Sequence, residues 1–561
     1  MPSQFEQIIP GLFHFRSALR SQHEPVNSFL LQAGDRTVII DPAADLTENA
    51  VREITASPVT DIMITHVQRE NVAGCANFPR ARVHVPAGDE YLCEGAEKYP
   101  HIVEPWPPPW EWETRGNFTG HVGGARNERP PDQPIAIHGT LAGADPRACR
   151  DVPVARLRRP TGASLQGQRT LPCPYKIIAT PGHGKHAVTI VATVAGKRVA
   201  FCGDVICGNG TLWNWFDSEW DYGLQHGQRA LLQSAEVIQR EQPDILCPTH
   251  GLIPSPSLER GQGVRSCDPQ AALALLRRRL ESVLVESPTH DAAAVNFPEV
   301  DSPAPGFRRI LPHLHQYRAG NCVAVLSDTG NALIVDDGLC YWEPLPQRAE
   351  HHRAVINDLK RALGIRKIDL VIPSHCHGDH TENIPELIEM EGCDVACVDI
   401  IAETIEHPER FNVIALLPWY GTAHDTFTIH RKLKNGERFR WHEYEIEMFM
   451  LGGQTWYTHG IDMTIDGVRT LFIGDSIGGF GTACEPPMCY NDGDPGTHGW
   501  AFAIDRMIEH RPDLLVCGHG IAMRDPMPLL LKKQAAWNQR LAQFAELSFR
   551  KDLRVFFDPF G

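Results

Sequence analysis

No stretch of the 561 residues approaches the roughly 18 unbroken apolar residues that a membrane-crossing helix needs. The opening Met1-Pro2-Ser3-Gln4-Phe5-Glu6-Gln7 lacks the basic start and apolar run of a signal peptide, so the expected location is cytoplasmic, with no membrane partner. Paired cysteine spacing is missing too. The 16 cysteines include Cys393 with Cys397 and Cys484 with Cys489, but neither pair has a two-residue gap or a matching second pair, and a reducing compartment explains the set. Positive charge is scarce: 53 Lys and Arg against 69 Asp and Glu leave −16. An acidic surface repels a polyanion, and the one concentrated basic run, Arg156-Leu157-Arg158-Arg159, reads as a solvated loop, so nucleic acid is not an expected partner.

What remains is ordinary globular material, 42% hydrophobic and 22% charged, and too long for one core. Its most informative segment is His375-Cys376-His377-Gly378-Asp379-His380, directly after the apolar run Ile368–Pro373. Three imidazoles and a carboxylate in six residues at a strand end form a metal-binding loop. That donor set suits zinc, iron or manganese, and its spacing can feed one ion or two neighbouring ones. Cys376 alternates with two histidines, which points its thiol away from them, as core filler.

The pattern H-x-H-x-D-H resembles the signature of the metallo-β-lactamase fold superfamily. That resemblance also implies a G-H-T turn, a bridging Asp after a strand and a late G-H-G. The run Leu471-Phe472-Ile473-Gly474-Asp475 makes Asp475 the bridging carboxylate, and Asp513–Gly520 makes His519 the last ligand. The remaining element departs from the pattern. Gly452-Gly453-Gln454-Thr455 puts an amide where the family has an imidazole, and a neutral carbonyl suits zinc poorly. Three alternatives stay open: His459 substitutes, Gln454 binds weakly, or the first position is one ligand short and the enzyme is mononuclear.

The constellation occurs twice. His66-Val67-Gln68-Arg69-Glu70-Asn71 holds the place of the first motif in the amino-terminal half, followed by Gly182-His183, Gly203-Asp204 and His250-Gly251. Gly182 to Asp204 and Gly453 to Asp475 are both 22 positions, and Asp204 to His250 is 46 against 44 from Asp475 to His519. Four landmarks in one order indicate a duplication. His66 to Asp204 is 138 positions against 100 from His375 to Asp475, so the first half carries about 38 additional residues, assigned to a polar insertion near 118–172. With Gln68, Glu70 and Asn71 replacing ligands, that half reads as a retired site supporting its partner, although His66, His183, Asp204 and His250 could still hold one ion.

The expected fold class is α/β, with two tandem metallo-β-lactamase-like αββα sandwich domains, the sandwich being implied by the resemblance. They span residues 1–286 and 307–561, joined by a proline-rich linker at 287–306. Opening hairpins are expected at Asn27–Leu31 with Thr37–Asp41, and at Asn321–Leu326 with Ala332–Asp336. Apolar recurrence predicts helices at Gly227–Arg240, Ala271–Val285 and Pro528–Ala545. Three aromatic segments, Trp106–Trp112, Trp213–Phe216 and Pro418–Gly421, read as interface padding rather than pocket walls.

The resemblance implies a metal-dependent hydrolase of a small ester-like substrate: a lactone, thioester, phosphodiester or sulfate ester. One or two divalent ions, zinc first and iron or manganese next, make water nucleophilic. The ligands would be His375 and His377 for the first ion, Asp379, His380 and His519 for the second, with Asp475 bridging; Asp379 would also act catalytically, orienting the nucleophile. The alternatives are an iron-dependent sulfur dioxygenase and a non-catalytic scaffold. Assembly into a homo-oligomer stays open.

Overall fold

The computed structural model describes residues 5–17, 26–94, 139–141, 171–213, 218, 225–254, 264–265, 268–284, 300–339, 347–407, 426–453, 458–476, 499–518 and 522–549. These group into two compact units, which divide after Leu284. Among the described residues no helix is long and apolar enough to cross a membrane.

In the first unit, seven strands lie side by side in chain order, from Phe5–Ile9 to Gly139–Leu141. The first four are antiparallel and the last three join in parallel. A second sheet runs Tyr175–Ala179, Val188–Val194, Lys197–Gly203 and Ile245–Pro248, its last pair parallel. Alternate side chains of both sheets share one core, with Phe29 of the first 5.5 Å from Phe201 of the second.

The second unit also has two main sheets. Eight strands run from Val300–Asp301 to Arg431–Leu433, antiparallel and then parallel, and a six-stranded sheet runs from Glu437–Trp441 to Met523–Arg524. Lys367–Ile372 leads into the histidine loop; it is an apolar run because a parallel strand inside a sheet is covered on both faces. The same hairpin turns tightly in each unit. Ala195-Gly196 has φ of +48° and +77°, and Asp466-Gly467 has +52° and +77°, the left-handed pair that a two-residue hairpin needs.

Helices lie at His226–Arg240, Pro269–Val283 and Met527–Leu547, where periodicity placed them to within a few residues. Pro269–Val283 starts on an Asp268 cap that accepts the Gln270 N–H and buries the stripe Ala272, Leu273, Leu276, Leu280 and Val283.

Three features differ from expectation. Residues 139–141 inside the supposed insertion form a strand parallel to Arg82–Pro86, with Leu141 in the core; three residues are too few to show a period. The supposed linker ends early, since Val300 pairs with Arg309 and Ala304 is buried. Gln543–Lys551 counts with the first unit, where Leu212 N–H donates to the Leu547 carbonyl and Phe549 N–H to the Leu212 carbonyl. The rest of the 118–172 stretch, apart from Leu171 and Pro172, lies outside the described residues, as do residues 287–299.

A buried ion pair stands behind the histidine loop. His352, on the helix Gln347–Leu363, is fully buried, with Nε2 3.0 Å from Asp337 and Nδ1 3.3 Å from Glu386. Burial opposes its charge, but Asp337 and then Glu386 more than offset this and raise its pKa to about 9. A folded pKa above the unfolded value stabilises the fold fully below pH ~6.5, and the contribution fades as pH rises through about 9. His352→Gln should therefore cost about 3 kcal/mol at pH 6 and clearly less at pH 9.5. Urea melts at both pH values check this; equal losses would contradict it.

Candidate metal centre

The loop after Lys367–Ile372 is shaped by Asp336, the penultimate residue of the neighbouring strand Asn331–Asp337, which sits at φ +58°. Its carboxylate accepts the Ser374 N–H at 2.6 Å, the Ser374 hydroxyl at 2.9 Å and His380 Nδ1–H at 2.9 Å. Ser374 Oγ, having donated to Asp336, accepts from His375 Nδ1 at 3.0 Å. Nδ1 of both imidazoles is thus held by a protein oxygen, which leaves Nε2 as the ring atom available to a metal.

The candidate donor atoms converge on one carboxylate. Donor atoms of His375, His377 and Asp475 all lie within 4.8 Å of one another, and so do those of Asp379, His380 and Asp475. Both groups include Asp475, and each could hold a divalent ion. Ring centroids of His375 lie 4.4 Å from His377 and 4.1 Å from His380, and all five side chains are buried. His380 Nε2 is 3.3 Å from Asp475 Oδ1, long for a charge-assisted hydrogen bond but close to the ~3.4 Å that separates two ligands on one tetrahedral ion. Burial opposes protonation of His380, but Asp475, Asp336 and Asp379 together hold its pKa well above the ordinary imidazole value. Three carboxylates around one imidazole make this a pocket that favours a cation.

Several residues that complete the centre carry no motif. Asn321, at the head of the strand Cys322–Leu326, donates Nδ2–H to the Asp379 carbonyl at 3.0 Å and lies 3.2 Å from Asp379 Oδ2 and 2.9 Å from His380 Nε2. A Cβ on Gly338 would stand 1.5 Å from the Asp379 carbonyl oxygen, so only glycine lets the two backbones meet. A Cβ on Gly518 would stand 2.5 Å from Asp475 Oδ1 and 2.6 Å from His380 Cε1. In the sequence, an Asn and an Asp stand in both expected opening hairpins, Asn27 with Asp41 and Asn321 with Asp336.

His459 is not brought into either group among the described residues. It opens the strand His459–Ile465, its N–H donates to the Ser374 carbonyl at 3.1 Å, and its Nδ1 accepts from the Val398 N–H at 3.4 Å. Burial pushes its imidazole down to about 3. Gln454 and His519 lie outside the described residues. Cys376 is in the apolar core, as are Cys393 and Cys397, while Cys484 and Cys489 lie outside the described residues.

The model of the metallo-beta-lactamase superfamily matches residues 317–519, a span that takes in every residue of this centre. Residues 317–519 belong to the metallo-β-lactamase superfamily. No curated protein matches the chain. Similar solved structures include a metallo-β-lactamase of Cronobacter sakazakii, 16% identical, covering 42% of this chain and 98% of its own at a TM-score of 0.33. The subclass B3 metallo-β-lactamase BJP-1 of Bradyrhizobium japonicum is 15% identical, covering 43% and 95%, at 0.32. A beta-lactamase from Chitinophaga pinensis is 12% identical, covering 45% and 99%, at 0.33.

Within this metallo-β-lactamase domain the glycine at 518 gives a sharp test. Gly518→Ala leaves every ligand in place but drives a methyl group between Asp475 and His380. It should lower zinc affinity roughly 10- to 100-fold with the circular dichroism spectrum unchanged. Zinc titration of the chelator-stripped variant measures this, and affinity equal to the parent would contradict the geometry.

Proposed function

We propose that the second unit is a metal-dependent hydrolase of small ester-like molecules, in the class of lactones, thioesters, phosphodiesters and sulfate esters. The observation that carries the reading is the pair of ligand groups, His375/His377/Asp475 and Asp379/His380/Asp475, meeting on one buried carboxylate. Zinc is the ion that imidazole and carboxylate donors in this number suit best, and His519 would complete the second group. His375, His377, Asp379, His380 and Asp475 would hold a divalent ion, which would supply Lewis-acid activation of water and of the substrate oxygen.

The chain's own residues do the positioning. Asp336 and Ser374 keep the protons of His375 and His380 on Nδ1. Asn321 holds Asp379 through both its carbonyl and its Oδ2, which aims the remaining carboxylate oxygen as an acceptor to orient the nucleophile.

We also propose that the two units are a tandem duplication. What supports this is a shared set of contacts. Asp41 and Asp336 accept the backbone N–H and the hydroxyl of Thr65 and Ser374, whose oxygens lie 3.0 Å from Nδ1 of His66 and His375. Thr249 N–H donates to the Gly203 carbonyl as Gly518 N–H does to that of Gly474.

The test is metal quantification on protein purified without added metal, followed by lactone, thioester, phosphodiester and sulfate-ester substrates. Zinc with turnover of one ester class supports the reading. Iron with oxygen consumption on a persulfide would replace it with sulfur oxidation, and metal-free protein that turns over would end it.

A further inference from the structure

The first unit contains a buried cluster that the proposed hydrolase does not use. Asp204, at the end of Lys197–Gly203, has a fully buried carboxylate, and among the described residues its ion pairs are all with imidazoles: His66, His183 and His250. These contacts are of two kinds. His250 Nδ1 lies 2.8 and 2.9 Å from the two carboxylate oxygens, an ordinary charge-assisted hydrogen bond, and its ring is stacked on Trp213 at 4.8 Å. His66 Nε2 and His183 Nε2 stand 3.3 and 3.4 Å from the same Oδ2. That is long for an imidazolium–carboxylate bond and matches the ~3.4 Å between two ligands about 2.1 Å from one tetrahedral ion.

Thr65 Oγ1 donates to Asp41 Oδ2 at 2.7 Å and so accepts from His66 Nδ1–H at 3.0 Å, which leaves Nε2 as the His66 ring atom that faces the Asp204 carboxylate. Asn71 Nδ2 is 3.3 Å from both ring nitrogens of His66. The donor atoms of His66, His183 and Asp204 lie within 4.8 Å of one another, and all three residues are buried. A comparable group elsewhere, Glu447 with Asp462 and His510, is already neutralised by Arg469, whose Nη2 is 2.6 Å from Asp462.

We infer that the first unit holds one borderline divalent transition ion on His66 Nε2, His183 Nε2 and Asp204, with His250 anchoring the carboxylate from behind. The half read from sequence as a retired site is on this geometry a second, three-ligand metal centre. It has lost the loop ligands at Gln68 and Asn71 and kept those carried by three separate strand ends. Independence from the hydrolase reading is built into the inference, because no ligand is shared with the second unit.

The test uses the full chain carrying His377→Ala and Asp475→Asn, which disables the second unit's ligands. Stripped with a chelator, loaded with Zn2+ and desalted, it should retain about one ion per chain by mass spectrometry. Zinc-edge anomalous diffraction should place that ion roughly 2.0–2.2 Å from the three donor atoms. Adding His183→Ala, or the isosteric Asp204→Asn where alanine perturbs folding, should reduce retention at least 10-fold, and His250→Ala should weaken affinity about 10-fold without changing the stoichiometry. A folded double variant that retains no zinc, or an anomalous peak elsewhere, overturns the inference and leaves an imidazolium–carboxylate cluster. Failure of the parent to hydrolyse any ester would bear only on the second unit.

Discussion

His377→Ala should cost about 10³-fold or more in hydrolysis while the protein stays folded. The side chain is 1% exposed and is one of three donors grouped on Asp475, and its loss leaves His375 and Asp475 as the remaining described donors of that group. Lewis-acid and nucleophile activation are together worth several kcal/mol, each 1.36 kcal/mol being tenfold in rate, so a vacated ion removes several powers of ten. His377 caps a short helix with no side-chain hydrogen bond to it, which is why folding should survive. Steady-state kinetics paired with metal analysis checks this. Activity within a few fold of the parent would mean that the ion is not the source of the nucleophile, and would restore the scaffold reading.

Asp336→Ala should be as damaging by another route. Three donors lose their acceptor: the Ser374 N–H, the Ser374 hydroxyl and His380 Nδ1–H, all in buried groups. At about 1–3 kcal/mol for each buried unsatisfied donor, the variant should lose roughly 3–5 kcal/mol even if some relax. For a domain of this size that is a melting temperature about 10 °C lower. Because His380 also loses the partner that fixes its tautomer, zinc affinity should fall about 10- to 100-fold. Asp336→Asn separates the effects, since asparagine tolerates the left-handed φ and keeps one acceptor for the Ser374 N–H. It should recover most of the stability and little of the affinity. Thermal melts with zinc titrations of both variants decide it, and an alanine variant that melts like the parent would show that the loop holds itself.

The candidate donors His375, His377, Asp379 and His380 stand out in the sequence because they are rare residue types at short spacing. Three imidazoles and a carboxylate within His375–His380 need no tertiary information to suggest a metal. Equal spacing from Gly182 to Asp204 and from Gly453 to Asp475 suggested in addition that each half carries its own set of landmarks. Strands and long helices followed from period, as in Ala271–Val285 against the observed Pro269–Val283. Short parallel strands did not, because Gly139–Leu141 is defined by its partner across the sheet rather than by any pattern of its own.

By itself, then, the sequence determined which atoms are available to grip a cation and in what order the chain delivers them, because donor chemistry is local to a side chain. Only the tertiary structure decided which donors meet. It brought Asp475 to both halves of the histidine loop, turned the His459 ring to the Val398 N–H, and recruited Asp336, Asn321, Gly338 and Gly518, whose effect depends on a neighbour far away in sequence. It also returned residues 543–549 to the first unit and gathered His66, His183 and Asp204 around a single oxygen. Convergence of that kind is set by sheet register and by backbone approach, and neither is a property of any one segment of chain.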